Sequence, residues 1–174
     1  WKECPGNVEE EMKYTVSQWM QATKTSHGHH STIIGNTPLP QNKVTSWNIK
    51  ILKSKNNDGS GIFVGVAPSD IDQNEDDSFE KSGWHFYCYF SSLWSGPPHN
   101  YRDKKYGPRK EKGQYVHTGD SVGVVMDTTK GELSFVVNGV NFGVAFDGVP
   151  LDKPLVPCVI LRCLGDSVEL DTSE

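Results

Sequence analysis

From residue 45 onward, apolar runs alternate with turn-forming residues at spacings of roughly 8–15, the pattern of an antiparallel sandwich or barrel. In residues 45–53, Trp47, Ile49 and Ile51 fall on one face while Asn48 and Lys50 point the other way, which predicts a half-buried strand. Residues 61–67 are apolar on both faces, with Ile62, Val64 and Val66 opposing Phe63 and Ala67, so this strand is expected in the middle of packed layers. Residues 83–90 read as a third strand, rich in aromatics. Residues 120–127 and 132–137 flank the turn-prone stretch Thr128-Thr129-Lys130-Gly131, and Asn138-Gly139, the strongest short hairpin signal, follows directly. Val122, Val124 and Met126 share one face, as do Leu133, Phe135 and Val137, so the two strands can offer one apolar surface to a second sheet. Residues 143–146, 155–161 and 167–170 complete the set. Residues 1–43 are less regular, with strand-like stretches at 14–19 and at Thr32-Ile33-Ile34, and read as outer strands or a wrap-around arm too short to close a core alone.

Composition narrows the class. A length of 174 residues fits one domain, and seventeen Gly and ten Pro scattered along the chain suit many short strands joined by turns. Seventeen basic against twenty-two acidic residues give a net charge of −5, which offers no general attraction to nucleic acid or anionic lipid. No apolar run is long enough for a signal peptide or a membrane span, and a start at Trp1 suggests a piece of something larger. Cys4, Cys88, Cys158 and Cys163 lack C-x-x-C spacing and lie in or beside apolar stretches, so reduced structural thiols, a cytoplasmic setting and a monomeric isolated domain are expected.

The stretch Gly119-Asp120-Ser121-Val122-Gly123-Val124-Val125-Met126-Asp127, followed by Gly131-Glu132-Leu133-Ser134-Phe135 and Asn138-Gly139, resembles the central signature of the SPRY domain family. Around it, in order, stand Trp47, the strand with Gly65, Gly83-Trp84, Tyr106-Gly107, Gly143-Val144-Ala145-Phe146 and Pro154-Leu155-Val156-Pro157, so the resemblance runs over residues 44–170. It implies an all-β fold, a two-layer antiparallel β-sandwich of the concanavalin A-like jelly-roll kind. It also implies a non-catalytic module that binds a partner protein or short peptide through rim loops, as in the substrate-recognition ends of ubiquitin ligases and in adaptors. By the same resemblance, peptide contacts fall on the loop after the Gly65 strand, here Pro68, Ser69, Asp70 and Asp72, and on the turn before the last strand, here Leu164, Gly165 and Asp166.

Residue types add further candidates. Trp94, Tyr101, Arg102 and Tyr106 are aromatics and an arginine in expected loops, the types that dominate protein interfaces, although Trp94 in Leu93-Trp94-Ser95-Gly96-Pro97-Pro98 reads equally as a packed anchor for its loop. The acidic loop 70–80 and the basic stretch 102–112 would frame a groove with one negative and one positive wall if both reach one rim. The acidic loop resembles a calcium loop at Asp70, Asp72 and Asn74, but Glu75 stands where a turn glycine is needed and Lys81 where a bidentate Glu is needed. His27, His29 and His30 cluster without a further ligand at zinc spacing. Basic residues around Tyr101 and Tyr106 match the mixture used on single strands, yet the acidic balance and the intervening Asp103 and Glu111 argue against nucleic acid. No nucleophile elbow, phosphate loop or paired carboxylates are present, and Cys88 and His85, three apart on one strand, face opposite sides, so neither enzyme activity nor a cofactor is expected. A lectin-like module is the alternative from another class, resting on Trp94 as a sugar platform and the acidic loop as a calcium holder.

Overall fold

The computed structural model describes residues 1–2, 14–17, 20–57, 59, 61–75, 78–108 and 116–171; Cys4, Asp76, Asp77 and residues 109–112 lie outside them. The strands in chain order are β1 (Tyr14–Ser17), β2 (Gln21–Lys24), β3 (Ser31–Ile34), β4 (Val44–Lys53), β5 (Ile62–Pro68), β6 (Trp84–Tyr87) and β7 (Ser92–Ser95). They continue with β8 (Lys104–Lys105), β9 (Ser121–Asp127), β10 (Glu132–Val137), β11 (Val140–Phe146), β12 (Leu155–Leu161) and β13 (Ser167–Asp171), and one helical turn, α1 (Ser78–Lys81), precedes β6. A seven-stranded sheet has the order β1-β2-β13-β4-β9-β10-β11, and a six-stranded sheet the order β3-β12-β5-β6-β7-β8. The early part of the chain enters both sheets: β2 pairs with β13 in the first, and β3 pairs with β12 at the edge of the second.

The period-two pattern accounts for the inner core. Ile49 and Ile51 of β4, Val122, Val124 and Met126 of β9, and Leu133, Phe135 and Val137 of β10 meet Ile62, Val64 and Val66 of β5 and Leu155, Val159 and Leu161 of β12 between the sheets. The two-faced pattern of β5 has the expected consequence, because Phe63 and Ala67 lie in a second cluster outside the six-stranded sheet. There they join Val156, Cys158 and Ile160 of β12, Ile34, Phe79 of α1 and Tyr87, with Ile71 and Trp94 packed against them. Each side chain of this size that is fully buried is worth about 1.5–3 kcal/mol, so neither face of these strands can be left to water.

Three elements differ from the sequence reading. The strand expected over residues 83–90 ends at Tyr87; the chain turns through Cys88, Tyr89 and Phe90, with Ser91 at a φ of 48°, and returns as β7, which no alternation announced. Trp94 therefore lies on a strand, not in a loop. Strand β11 begins at Val140, three residues early, because the Asn138-Gly139 turn leads straight into it. Two register shifts between β10 and β11 leave Phe135 without a cross-strand partner on β11.

Gly65 is held to glycine by proximity: a β-carbon there would collide with the Trp84 carbonyl oxygen of the neighbouring strand. Gly139 is held by conformation alone. Asn138 and Gly139 have φ of 48° and 81°, the paired positive values of a type I′ hairpin turn, and a β-carbon on Gly139 would meet no atom within 4 Å. Gly139→Val should therefore lower stability by about 1–3 kcal/mol through backbone strain alone. Urea unfolding checks this, and an unchanged midpoint would contradict the turn's role.

Candidate functional site

Strand register decides which loops share an end of the sandwich. Pro68 pairs with Leu155 and Ile62 with Leu161, so the loop after β5 and the turn after β12 lie at opposite ends of the same strand pair, about 20 Å apart at 3.3 Å per residue. At the first rim, residues 68–75 and 147–154 are joined by the Ser69 N–H to the Pro154 carbonyl (2.8 Å) and by Lys153 Nζ to Asp70 (2.7 Å), and residues 96–103 join them through His99 and the Asp147 carbonyl (2.6 Å). At the second, residues 24–28, 54–57 and 162–166 are joined by the Gly165 N–H to the Lys24 carbonyl (2.9 Å) and the Lys55 N–H to Asp166 Oδ1 (3.2 Å). Pro68, Ser69, Asp70 and Asp72 thus do not form one edge with Leu164 and Asp166.

At the first rim and along the flank between the sheets, the candidate side chains are engaged by the protein itself. Trp94 packs edge-on against Phe79 and Phe63, with ring centroids 5.6 and 6.4 Å away, and its N–H donates to Ser92 Oγ (3.2 Å). Tyr101 stacks on Phe146 at 5.4 Å, and Lys104 Nζ lies 3.9 Å from the centre of its ring. The Arg102 guanidinium donates to the carbonyls of Ser95 (2.6 Å), Tyr101 (2.8 Å) and Glu80 (2.7 Å), with the Glu80 carboxylate 3.6 Å from its Nε. His99 accepts the Trp84 indole N–H at Nδ1 (3.1 Å), so its Nε2 carries the proton that goes to the Asp147 carbonyl (2.6 Å), which joins β6 to the loop after β11. Asp72 Oδ1 accepts the Asn74 N–H (2.9 Å). The acidic and basic segments meet at Arg102 and Glu80, which join directly, and Asp70 pairs with Lys153 of another loop; Asp76, Asp77 and residues 109–112, which carry much of the expected two-walled groove, lie outside the described residues.

Tyr106 closes the flank. Its hydroxyl donates to the Gly143 carbonyl (2.6 Å) and accepts the Phe135 N–H (3.1 Å), the donor released by the register shift between β10 and β11. Its ring packs edge-on against Phe86, Phe135 and Phe142. A segment of the six-stranded sheet is thus bolted to an edge hairpin of the other.

The second rim is different. Leu164 is 47% exposed, and together with His27, Gly28, Lys55, Arg162 and Cys163 it lines an open cleft of about 290 Å³. Asp166 lies beneath it, fully buried, and its carboxylate accepts the N–H groups of Cys163 (2.7 Å) and Lys55, so this side chain holds the rim together from inside. Burial pushes its carboxyl up to about 6, against the opposing pull of the backbone N–H groups of Cys163, Lys55 and Arg162 and of the Lys24 ammonium. Lys24 is itself buried and donates to Ser31 Oγ (2.9 Å) and Ser26 Oγ (3.3 Å). Single-residue reasoning could not find Lys55 or Arg162, since their convergence depends on the long-range pairing of β5 with β12 and on the Asp166 link to the Lys55 N–H.

His85 and Cys88 are both buried, on opposite faces of the sheet; burial lowers the histidine to about 3 and raises the thiol far above its ordinary value. The three clustered histidines part, as His30 packs on Phe79 at 4.8 Å while His27 reaches the second-rim cleft. Among the described residues no group of three His, Cys, Asp or Glu is placed to hold a metal ion.

The SPRY domain family model matches residues 44–172. The SPRY domain of human HERC1 superposes with a TM-score of 0.70 at 20% identity, covering 92% of this chain and 94% of that one. A second human SPRY domain gives a TM-score of 0.73 at 16% identity, with 93% and 97% covered. No curated protein matches the chain. At these identities the two structures establish the fold.

Two measurements check the roles assigned to side chains. Tyr106→Phe removes the partner of one buried N–H and one carbonyl and should cost about 1–3 kcal/mol in urea unfolding; an unchanged stability would show that the hydroxyl bolts nothing. For Asp166 the folded pKa lies above the ordinary 3.8, so between about pH 4 and 6 the folded chain keeps a proton that the unfolded chain has lost, and stability contributed by the protonated form falls as pH rises. The melting temperature of the native protein should therefore fall relative to that of Asp166→Asn as pH rises across that window, and the two should run parallel above it. Parallel curves throughout would contradict the assignment.

Proposed function

The chain belongs to the SPRY domain family, and from that premise we propose that it recognises a segment of a partner protein at its second rim, with Leu164 as the apolar contact. SPRY domains are generally non-catalytic protein-interaction modules. One contrast carries the choice of rim. Trp94, Tyr101, Arg102 and Tyr106 are engaged within the fold, whereas Leu164 stands exposed beside an open cleft. A large apolar side chain that is solvent-exposed next to a concavity is the arrangement from which interface anchors are drawn.

In this reading the scaffold turns its recognisable signature inward and offers the partner a few positions on loops that differ freely between relatives. Within a larger protein, such as the ubiquitin ligase or adaptor setting that the family suggests, this rim would select the bound partner. The free thiols of Cys88, Cys158 and Cys163 fit a reducing compartment, and a cytoplasmic location and a monomeric domain are part of the proposal. No helix among the described residues is long and apolar enough to cross a membrane.

Leu164→Asp tests the reading, because an exposed position tolerates substitution within about 0.5 kcal/mol of stability. Proteins captured from cell extract by the immobilised native domain should be lost by Leu164→Asp at an unchanged melting temperature and kept by Asp72→Asn at the first rim. The opposite pattern would move the site to the first rim.

A further inference from the structure

The cleft at the second rim is lined by two cations, Lys55 and Arg162. Lys81, Arg102, Lys130 and Lys153 each have a carboxylate within 4.0 Å. Among the described residues Lys55 and Arg162, which line the cleft, have no carboxylate within 4.0 Å, and neither does Lys53, whose Nζ lies 3.6 Å from the position a β-carbon on Gly165 would take; Lys43 and Lys50 share this property, but they do not line the cleft. The Cys163 thiol, on the same lining, is raised by burial and by the Asp166 carboxylate, against the smaller opposing pull of Lys55, Arg162 and Lys24. The Asp166 carboxylate beneath the cleft is buried and committed to backbone N–H groups.

We infer that the cleft takes an acidic segment of the partner, with a carboxylate side chain between Lys55 and Arg162 and a neighbouring apolar side chain against Leu164. This rests on the second-rim reading above. Volume supports it: at about 290 Å³ the cleft falls just below the ~300–1,000 Å³ of small-molecule sites, so it has room for part of a peptide and not for a bulky cofactor. Gly28 leaves the mouth open, since a β-carbon there would meet nothing within 4 Å. The net charge of −5 does not oppose an acidic ligand at this place, because charges farther than about 8 Å are largely screened at physiological salt. Nucleic acid fits the arrangement less well, as its binding draws on a track of phosphate contacts and these cations surround one small cleft.

Two capped peptides, GLEEG and its neutral counterpart GLQQG, titrated to millimolar concentration and followed by amide NMR, test the inference. GLEEG should shift the amides of Gly28, Lys55, Arg162, Cys163 and Leu164 saturably and bind at least tenfold more tightly than GLQQG. Lys55→Gln combined with Arg162→Gln, both exposed positions, should abolish that preference without altering the remaining amide spectrum. Equal shifts of the cleft by both peptides would overturn the acidic preference and leave the rim reading standing. Shifts confined to residues 68–75 and 96–103 would overturn both. No shift with GLEEG would overturn the inference, the Leu164→Asp capture experiment then deciding the rim reading by itself. Oligothymidylate should leave the cleft amides unmoved, and saturable shifts there would overturn the choice of an acidic peptide over nucleic acid.

Discussion

Strands β5 and β12 carry apolar side chains on both faces, and covering both faces is the constraint from which much of the arrangement follows. The inner faces are met by the seven-stranded sheet, a burial that alternation alone arranges. Among the described residues no third sheet covers the outer faces, and they are met by what lies close in sequence: Ile71 from the loop after β5, Phe79 from α1, Tyr87 and Trp94 from β6 and β7. Unmet, that surface would be an apolar patch prone to association.

This requirement decides which aromatics remain free for a partner. Between residues 69 and 106, Ile71, Phe79, Tyr87 and Trp94 cover the outer face, and along the flank His99 with Asp147, Tyr101 with Phe146, and Tyr106 with Gly143 successively tie the sheets together. Residue types typical of interfaces are thereby consumed as scaffold. The opposite end is held differently, by one buried carboxylate and short backbone links, and it leaves Leu164 and two cations at its surface. In the proposed reading, recognition falls where the fold makes the fewest demands on side chains.

The β architecture was legible because each main strand carries its own period. Trp47-Ile49-Ile51, Val122-Val124-Met126 and the two-faced run from Ile62 to Ala67 announce their burial locally, and Asn138-Gly139 announces its turn. Strand β7 was not legible: Ser92-Leu93-Trp94-Ser95 is short and followed by Gly96-Pro97-Pro98, so its turn residues outweigh its alternation. The site was less legible still. Tyr101, Arg102 and Tyr106 have the composition of a contact loop, and only the bulged hairpin that frees the Phe135 N–H reveals why Tyr106 points inward. Asp166 reads as a polar rim residue and is a buried node, while Lys55 and Arg162 lie 107 positions apart and are brought together by the pairing of β5 with β12 and by the Asp166 link.

The central claim is that the second rim meets the partner while the first rim and flank hold the fold. Cross-saturation from a captured, unlabelled partner onto the amides of the labelled domain measures this directly. The account predicts attenuation centred on Gly28, Lys55 and residues 162–165, with residues 70–75 and 99–106 unaffected. Attenuation centred on residues 70–75 and 99–106 would contradict it.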